Sequence, residues 1–398
     1  MNREDFLMLN NDIVYFDNGA TTLKPKCVVE KMEKYYTVHT SNIHRGDYDA
    51  SMITNELYDN TRNIVKDFIN CNSSNEVIFT SGTTMSINMI VFGYMKTHLK
   101  KGDEVLLTKS EHASNVLPWI KLSEDIGIVL KYMELDDAYS LTVDSVKNSI
   151  TDKTKVISIA HVTNVVGDVR DIVAIGEICC DKNILFCVDG AQSVPHMKVD
   201  FKNANIDFLS FSGHKMLGPT GVGVLVAKEK LLNEMEPLFY GGGMNISFES
   251  DNSYELKKGP SKFEAGTPPI AEVIGLSEAI KYLMNIGMDK IHKYEIDLKK
   301  YLVEELEKIP NIVLYNKNFD SGILAFNIDG VFPQDTSIYL NHYHICVRAG
   351  NHCTKMLKDE IGVKNTVRIS MYLYITKEDI DKLVSVLKNS KDIFNIVL

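Results

Sequence analysis

The sequence predicts an α/β protein, with a mostly parallel, doubly wound sheet in a large domain and a smaller α+β domain after it. Between about residues 76 and 230, short apolar runs of strand length alternate with stretches of helical periodicity. Such alternation is typical of parallel sheets built from strand–helix–strand units. At 398 residues, the chain is also long enough for two or three domains. We expect residues 1–20 to form an N-terminal segment that packs with the small domain, residues 21–270 to form the large domain, and residues 271–398 to form the small domain.

Composition and charge exclude several classes of partner. The net charge of -10 leaves no basic surface typical of proteins that bind nucleic acid or anionic membranes. No apolar run approaches the roughly 20 residues that span a bilayer, and the N-terminus has acids where a signal peptide is apolar. We therefore expect a cytoplasmic protein. The seven cysteines show no zinc-type double CxxC spacing, so we expect reduced thiols and no metal site.

The N-terminal part of the chain contains two predicted helices separated by a polar stretch. A short apolar run at residues 13–16 leads into a turn at residues 17–22 and a helix that reaches about Tyr36. His44 and Arg45 follow among turn-forming residues. They lie either in a solvated loop or within reach of an anionic substrate or cofactor. Helical periodicity returns over residues 51–70.

The first strands of the predicted sheet end in polar residues. EVIFTSGTTMSINMIVFGYM (76–95) is typical of a strand, a glycine turn and a helix. Thr83 and Thr84 in that turn would present N–H groups and hydroxyls at a helix N-terminus, which is a natural phosphate site. The next strand, within residues 103–119, ends near His112. This imidazole could lie over a cofactor ring and move protons, or be a structural histidine.

Two later strands end in groups that suit one cofactor. One apolar run ends at Asp189 and another at Lys215. In open α/β sheets, ligands bind at the carboxyl ends of the strands. Pyridoxal 5'-phosphate needs a lysine amine for its Schiff base and a carboxylate that keeps its pyridine nitrogen protonated. The sequence therefore predicts a site for this cofactor.

The rest of the sheet is predicted from shorter signals. Strands are expected within residues 125–135 and 155–172, and GVGVLVAKEK after Lys215 is expected to add an antiparallel strand. Three cysteines in this part are interpreted as buried small hydrophobic residues, namely Cys179, Cys180 and Cys187.

The C-terminal third begins with a long segment, residues 240–269, that is predicted to be irregular, and such loops are often functional. Two helices and a set of short strands and helices are expected after it. Arg348 and Arg368 could each bind a carboxylate through two hydrogen bonds. Cys353 is either a nucleophile whose pKa is lowered by nearby cations or a surface thiol with no role.

Taken together, these motifs resemble those of the cysteine desulfurases, and most of all their Suf-type branch, within the class V (fold type I) enzymes that use pyridoxal 5'-phosphate. The motifs are DNGAT near residue 17, SEH (110–112), VDGAQS (188–193), SFSGHK (210–215), FEAGTP (263–268) and RAGNHC (348–353). The resemblance covers nearly the whole chain. It is specific for the superfamily and less so for the reaction, because related lyases share most of the cofactor site.

The resemblance implies a role for each matching residue. Lys215 would hold the cofactor and move the substrate's alpha proton, His112 would stack on the ring, and Cys353 would attack the sulfur. The implied cofactor-binding residues are Thr83, Thr84, His112, Asn164, Asp189, Gln192, Ser212, His214, Lys215 and Thr267, the last reaching the neighbouring subunit's phosphate. The implied substrate-binding residues are His44, Arg45, Asn164, Arg348 and Arg368.

The activity implied is the conversion of L-cysteine to L-alanine, with the sulfur held as a persulfide on Cys353. A sulfur-acceptor protein would then take it for iron–sulfur cluster assembly or related sulfur metabolism, and the enzyme would be a homodimer with shared active sites. One alternative is selenocysteine lyase or another class V lyase, epimerase or aminotransferase. Another is a sulfur-delivery scaffold with weak turnover on its own.

The sequence departs from the Suf-type pattern near the cysteine. Asn351 stands where the first of two histidines is usual, and residues 354–357 replace a small residue and a proline. Gln334 lies in a segment where some enzymes that use a zinc-containing acceptor carry a histidine. These departures concern the acceptor and the loop of Cys353, and they leave the cofactor site unchanged.

Overall fold

The elements follow the predicted alternation of strands and helices. The computed structural model describes residues 2–44, 46–317, 320–390 and 393. The strands are β1 (Val14–Tyr15), β2 (Val77–Thr80), β3 (Glu104–Thr108), β4 (Val129–Met133), β5 (Thr154–Ala160), β6 (Leu185–Asp189), β7 (Phe208–Ser212), β8 (Gly223–Ala227), β9 (Asn245–Phe248), β10 (Tyr254–Leu256), β11 (Ile312–Leu314), β12 (Ile323–Ile328), β13 (Ile345–Cys346), β14 (Arg348–Gly350) and β15 (Thr366–Ser370).

The helices are of three kinds. The α-helices are α1 (Lys26–Val38), α2 (Asp49–Ile69), α3 (Thr83–Asn88), α4 (Lys96–His98), α5 (Leu117–Ile126), α6 (Val143–Ser149), α7 (Ile172–Asp181), α8 (Glu229–Glu234), α9 (Ile270–Ile286), α10 (Met288–Leu306), α11 (Pro333–His342), α12 (Lys355–Ile361) and α13 (Lys377–Lys388). A π-helical stretch, Met89–Met95, joins α3 to α4. Short 3-10 turns lie at Arg3–Asp5, Leu7–Asn11, Ser74–Glu76, Ala113–Asn115, Gly213–Lys215 and Pro260–Lys262.

The large domain is built on a seven-stranded sheet with the order β2-β8-β7-β6-β5-β3-β4. All its pairs from β7 to β4 are parallel, and β8 is antiparallel to both of its neighbours, β7 and β2. This confirms the predicted fold class and the antiparallel strand after Lys215.

Both faces of this sheet are covered, because successive residues of a strand point to opposite sides. In β3, Leu106 belongs to one core cluster, whereas Val105 and Leu107 belong to the other. Strands buried on both faces are near-continuous apolar runs. For this reason β3, β5 and β7 are recognisable in the sequence.

The small domain contains an antiparallel sheet with the order β11-β12-β15-β14. The N-terminal segment joins it, because β1 pairs in parallel with β13. Arg3 also forms an ion pair with Asp379 at 2.5 Å. The helix α9, which the sequence analysis assigned to the small domain, packs against α1 and α2.

The structure corrects two expectations. The segment at residues 240–269 is not irregular throughout, because β9 and β10 form an antiparallel hairpin within it. The sequence did not reveal these strands, because they are only four and three residues long. Cys179 and Cys187 are buried as expected, but the interpretation was wrong for Cys180, which is exposed on the outer side of α7.

No helix in the described ranges has the length and apolar character needed to cross a membrane.

Replacing Gly223 in β8 by alanine should destabilise the large sheet. A Cβ at this position would lie 2.4 Å from the Cα of Gly82 and 2.8 Å from the carbonyl oxygen of Phe211. Both are backbone atoms, so the main chain would have to move, and overpacking of this kind costs about 1–3 kcal/mol. Chemical denaturation should show a free energy of unfolding lower by about 2 kcal/mol.

Gly241→Ala is the matched control, since a Cβ there would meet its nearest neighbour, the Cβ of Ala265, at 3.5 Å. Its effect on the free energy of unfolding should stay within about 0.5 kcal/mol. If Gly223→Ala were as stable as this control, the close approach of β8 to the Gly82 turn would not be a constraint.

Candidate active site

A cavity of about 240 Å³ opens at the carboxyl edge of the parallel strands. Ligands of open α/β sheets bind at this edge. The residues that line the cavity are Gly19, Ala20, Thr83, Thr84, His112, Ser114, Ala160, Val162, Asn164, Asp189, Ala191, Gln192, Ser212, His214, Lys215, Arg348, His352, Cys353 and Arg368. Most of the residues selected from the sequence therefore meet in one place.

Lys215 ends a short 3-10 turn that follows β7 directly. The N-terminal turn of the chain holds this element in place. The backbone N–H of Thr22 and the hydroxyl of Thr21 each donate to the carbonyl oxygen of His214 at 3.0 Å. The Thr22 hydroxyl also accepts the N–H of Leu217 at 2.9 Å. Contacts from the N-terminal part of the chain thus fix the backbone on both sides of Lys215.

Asp189 and Lys215 lie close enough to change each other's pKa. Burial raises the pKa of Asp189 to about 6, although the N–H of Ala191, which donates to Oδ1 at 2.9 Å, and the Lys215 ammonium oppose this. Burial lowers the pKa of Lys215 to about 8, although Asp189 raises it. At neutral pH, such a lysine has far more of its neutral, nucleophilic form than an ordinary lysine near 10.5.

The turn between β2 and α3 offers donors for an anion. The N–H of Thr83 donates to the Ser212 hydroxyl at 2.9 Å, and the two hydroxyls are 2.7 Å apart. The Thr84 hydroxyl, exposed at the cavity mouth, lies 2.7 Å from that of Ser114. The first N–H groups of a helix have no partner within the helix. This turn therefore presents N–H groups and hydroxyls of the kind that hold a phosphate.

Two histidines of the cavity are held neutral. Burial lowers the pKa of His112 to about 4, and the Lys215 and Arg368 cations contribute. Its Nδ1 accepts the N–H of Ser114 at 3.1 Å, which fixes the ring. Burial, followed by the charge of Lys215, also lowers the pKa of His214 to about 4.

Two buried amides complete the inner wall. The Nε2 of Gln192 donates to the Gly19 carbonyl at 2.8 Å, and its buried Oε1 has no partner among the described residues. The Nδ2 of Asn164 donates to the His352 carbonyl at 2.8 Å, and its Oδ1 accepts the Thr354 hydroxyl at 3.0 Å. Asn164 therefore connects the cavity to the loop of Cys353.

Arg368, on β15, brings a cation from the small domain into the cavity. It is 2% exposed and donates to Asp17 Oδ1 at 3.1 Å and to the Asn164 carbonyl at 3.0 Å. Its Nε is buried without a partner among the described residues, so one donor stays available. A Cβ on Gly19 would lie 2.9 Å from its Cζ, so only glycine leaves room for the guanidinium. Arg368 was predicted from the sequence, whereas Asp17 and Gly19, which lie in the DNGAT turn, were not.

A buried ion pair beneath the cavity was also missed. Arg170 and Glu111 are both fully buried, and Arg170 donates to Glu111 Oε1 at 2.5 Å. Arg170 also donates to the hydroxyl of Thr108 and to the carbonyl of Ala160, at the ends of β3 and β5. The only hint of this ion pair in the sequence was Glu111 within the SEH motif. Its partner, Arg170, lies in a stretch with no distinctive pattern.

Cys353 stands at the mouth of the cavity on a tightly held turn. Its side chain is exposed, whereas the neighbouring His352 and Thr354 are buried. Both His352 and Cys353 have positive φ, at 53° and 58°. Such backbone costs of order 1–3 kcal/mol per residue and persists only where the surroundings hold it. The Cys353 carbonyl accepts the N–H of Ala113 at 2.8 Å, which ties this turn to the residue after His112.

Several residues selected from the sequence lie elsewhere. His44 and Thr267 are exposed and do not line the cavity, and Asn42 donates to the Thr267 hydroxyl at 3.2 Å. Arg45 lies outside the described residues. Gln334 lies in α11, away from the cavity, whereas Arg348 lines the cavity and is exposed.

The residues present fit pyridoxal 5'-phosphate. The cavity has a lysine with an accessible neutral form, a buried carboxylate, and a turn suited to a phosphate. Two buried polar atoms of residues that line it, Gln192 Oε1 and Arg368 Nε, have no protein partner in the described part of the chain. Buried polar groups are normally hydrogen-bonded. A bound cofactor with its amino-acid substrate supplies the polar atoms that these groups lack.

Comparison with known proteins adds independent evidence. The class-V aminotransferase family profile matches residues 14–383. A probable cysteine desulfurase of Staphylococcus aureus (strain Mu50 / ATCC 700699) is 42% identical over 399 residues, covering 98% of this chain and 96% of that protein. The apo cysteine desulfurase of Thermococcus onnurineus NA1 has a similar structure, with a TM-score of 0.94, 36% identity, and 97% and 96% of the two chains covered. For the cysteine desulfurase CsdA of Escherichia coli, the TM-score is 0.92, with 33% identity and 98% and 97% covered.

The lowered pKa of Lys215 should be visible when the apoprotein takes up pyridoxal 5'-phosphate. Only a neutral amine attacks the aldehyde, so the rate constant should rise about tenfold per pH unit and level off above about pH 8. With an ordinary lysine, the rise would continue to about pH 10. Stopped-flow measurement of the visible absorption of the bound cofactor, in phosphate-free buffers, tests this.

Asp189→Asn is the matched control for this measurement. It removes the carboxylate that raises the pKa of Lys215, so the plateau should begin at lower pH than in the wild type. A plateau that stays at the same pH in this variant would show that the two groups are not coupled.

Proposed function

The chain belongs to the class-V aminotransferase family and, within it, to the pyridoxal-phosphate-dependent cysteine desulfurases, and we propose that it converts L-cysteine to L-alanine by holding the released sulfur as a persulfide on Cys353. One observation carries this proposal. A single cavity is lined by the lysine and acid that suit the cofactor, by a buried arginine that suits a carboxylate, and by an exposed thiol at its mouth, which are Lys215, Asp189, Arg368 and Cys353.

The inner residues would hold the cofactor and move protons. When bound, pyridoxal 5'-phosphate is an electron sink that stabilises negative charge on the substrate's alpha carbon. The Asp189 carboxylate would keep the pyridine nitrogen protonated, and Lys215 Nζ would take the proton from the alpha carbon. His112, neutral because it is buried, can cover the ring without adding a charge. Donors for the phosphate would come from Thr83, Thr84, Ser212 and His214.

Arg368 would orient the substrate through its carboxylate. Its guanidinium is fixed by Asp17 and by the Asn164 carbonyl, and its Nε remains available as a donor. A buried cation with one unused donor suits a carboxylate. Arg348, exposed at the same cavity, would add positive charge at the entrance.

Cys353 would receive the sulfur. Its thiolate forms a sulfur–sulfur bond as the bond between the substrate's beta carbon and sulfur breaks, and the electron pair of the broken bond stays with the carbon skeleton. Protonation of that carbon skeleton yields alanine. The sulfur is oxidised to the persulfide level while the carbon is reduced, so no external oxidant is needed. Lys215 and Arg368 lie near enough to Cys353 to interact with its negative charge.

We assign Thr267 and His44 to the active site of a second copy of the chain. Thr267 and His44 are exposed and do not line the cavity of their own subunit, and Asn42, two residues before His44, donates to the Thr267 hydroxyl. A homodimer with shared sites accounts for this placement. The β9–β10 hairpin also exposes apolar side chains, among them Phe248 and Tyr254, which a second subunit would cover. The persulfide would then pass to an acceptor protein for iron–sulfur cluster assembly or related sulfur metabolism.

Cys353→Ser should retain the cofactor and lose sulfur transfer. Serine keeps the size of the side chain but forms no persulfide, so alanine formation from L-cysteine should fall at least about a hundredfold. Mass spectrometry after incubation with L-cysteine should find one added sulfur on the Cys353 peptide of the wild type and none in the variant.

Cys180→Ser is the control for this test, because Cys180 is also exposed but lies on α7. It should behave like the wild type in both measurements. Normal alanine formation by Cys353→Ser would mean that the nucleophile lies elsewhere.

Arg368→Ala should raise the KM for L-cysteine about 10- to 100-fold, because the substrate carboxylate would lose a charged hydrogen-bonding partner. Steady-state kinetics of alanine formation measures this, and the absorption of the bound cofactor shows whether the site is still loaded. Lys109→Ala, which removes an exposed cation paired with Glu360, should leave the KM within about twofold of the wild type. An unchanged KM in Arg368→Ala would remove this residue from the substrate site.

A further inference from the structure

Two of the departures from the Suf-type pattern, Asn351 and Thr354, form hydrogen bonds in the turn that carries Cys353. The Asn351 side chain accepts the N–H of Cys353 on Oδ1 at 3.0 Å. The Thr354 hydroxyl donates to Asn164 Oδ1 at 3.0 Å. We call these contacts, together with the hydrogen bond from Ala113 N–H to the Cys353 carbonyl, the Cys353 clasp.

Within the clasp, both the oxygen and the nitrogen of the Asn164 side-chain amide are hydrogen-bonded to residues that flank Cys353. Its Oδ1 accepts from Thr354, and its Nδ2 donates to the His352 carbonyl at 2.8 Å. Asn164 and Thr354 are buried, at 6% and 1% exposure. Since Thr354 can donate and the carbonyl can only accept, this pair of contacts allows one orientation of the amide. Thr354 therefore fixes a side chain of the cavity wall as well as the turn of Cys353.

The turn is anchored on its other side by a buried histidine. The His352 ring is 4% exposed, and its Nε2 donates to the Thr366 carbonyl at 3.0 Å. Lys358, 2% exposed, donates to the hydroxyl of the same threonine at 2.6 Å. Residues on β15 and α12 thus hold the backbone just before Cys353 and leave it little freedom.

The backbone conformation of the turn needs such support. His352 and Cys353 both lie in the left-handed region, which residues other than glycine, asparagine, aspartate and histidine rarely adopt. An asparagine that accepts the N–H two residues later forms an Asx turn, a local contact that favours this kind of reversal. The result is that two buried residues, His352 and Thr354, flank Cys353, whose side chain is exposed.

We propose that Asn351 and Thr354 are positioning residues, which hold the Cys353 thiol in one orientation at the cavity mouth for its attack on the substrate sulfur. The proposal rests on the function proposed above. Reacting atoms held in an aligned geometry react far faster than atoms that must be brought together by a loop movement. The clasp supplies that alignment through hydrogen bonds to the cavity wall. The usual proline after the cysteine is missing here, and the chain continues from Thr354 into α12, Lys355–Ile361.

The test compares Thr354→Val with Thr354→Ser in the loaded enzyme. Valine keeps the shape of threonine without its hydroxyl, and serine keeps the hydroxyl. In single-turnover experiments with L-cysteine, the change in cofactor absorption reports substrate capture, and mass spectrometry of the Cys353 peptide reports persulfide. Thr354→Val should form persulfide about tenfold more slowly, and this decrease should exceed any change in its rate of substrate capture. Thr354→Ser should restore the persulfide rate to within about threefold.

Asn351 has its own matched pair. Asn351→Leu removes the acceptor of the Cys353 N–H, whereas Asn351→Asp keeps an acceptor at the same place. Persulfide formation should slow about tenfold in the leucine variant and stay closer to the wild type in the aspartate variant.

Amide hydrogen–deuterium exchange of the peptide covering residues 348–357 tests the clasp without any turnover. Exchange should speed up in Thr354→Val and Asn351→Leu and match the wild type in Thr354→Ser. Unchanged exchange in the first two variants would overturn the proposal, and so would faster exchange combined with a wild-type rate of persulfide formation. If the wild type itself formed no persulfide on Cys353, the proposed function would fail, and the positioning role would fail with it even where exchange showed the clasp to exist.

Discussion

The carboxyl edge of the large sheet depends on a buried ion pair between Arg170 and Glu111. Their charges are fully removed from water, and such a pair is stable only when its other hydrogen bonds are also made. Arg170 meets this condition by donating to Thr108 at the end of β3 and to Ala160 at the end of β5. Two neighbouring strands therefore end at fixed positions. His112, which follows Glu111 in the chain, and Ala160 take their places in the cavity wall as a consequence.

The cavity is assembled from parts of the chain that are far apart. The parallel strands supply Asp189 and the Lys215 turn, the N-terminal turn supplies Gly19, and the small domain supplies Arg368 and the loop of Cys353. The pairing of β1 with β13 links the first residues of the chain to the small domain. The site thus forms only when both domains are folded, because Lys215 and Cys353 line the same cavity from different domains.

The charges around the cavity favour the binding of anions and keep its histidines neutral. Burial, together with the positive charges of Lys215 and Arg368, lowers the pKa of His112 to about 4. Burial, together with the positive charges of Arg368 and Lys358, lowers the pKa of His352 to about 2. The histidines therefore add no charge of their own, while Arg368 and Arg348 remain cations. Such a cavity suits a phosphate, a carboxylate and a thiolate. These are the groups that a cysteine desulfurase must hold together.

The sequence by itself determined the fold class, the strand ends that carry Asp189 and Lys215, and the motifs around His112 and Cys353. These are local signals, since buried strands are apolar runs and a polar residue at the end of such a run marks the functional edge. Only the tertiary structure decided which distant residues complete the site. Asp17 contacts Arg368 and Thr354 contacts Asn164 across 351 and 190 residues of sequence, distances that no periodicity spans. The hairpin of β9 and β10 also escaped the sequence analysis, because short exposed strands have neither an apolar run nor a buried face to mark them.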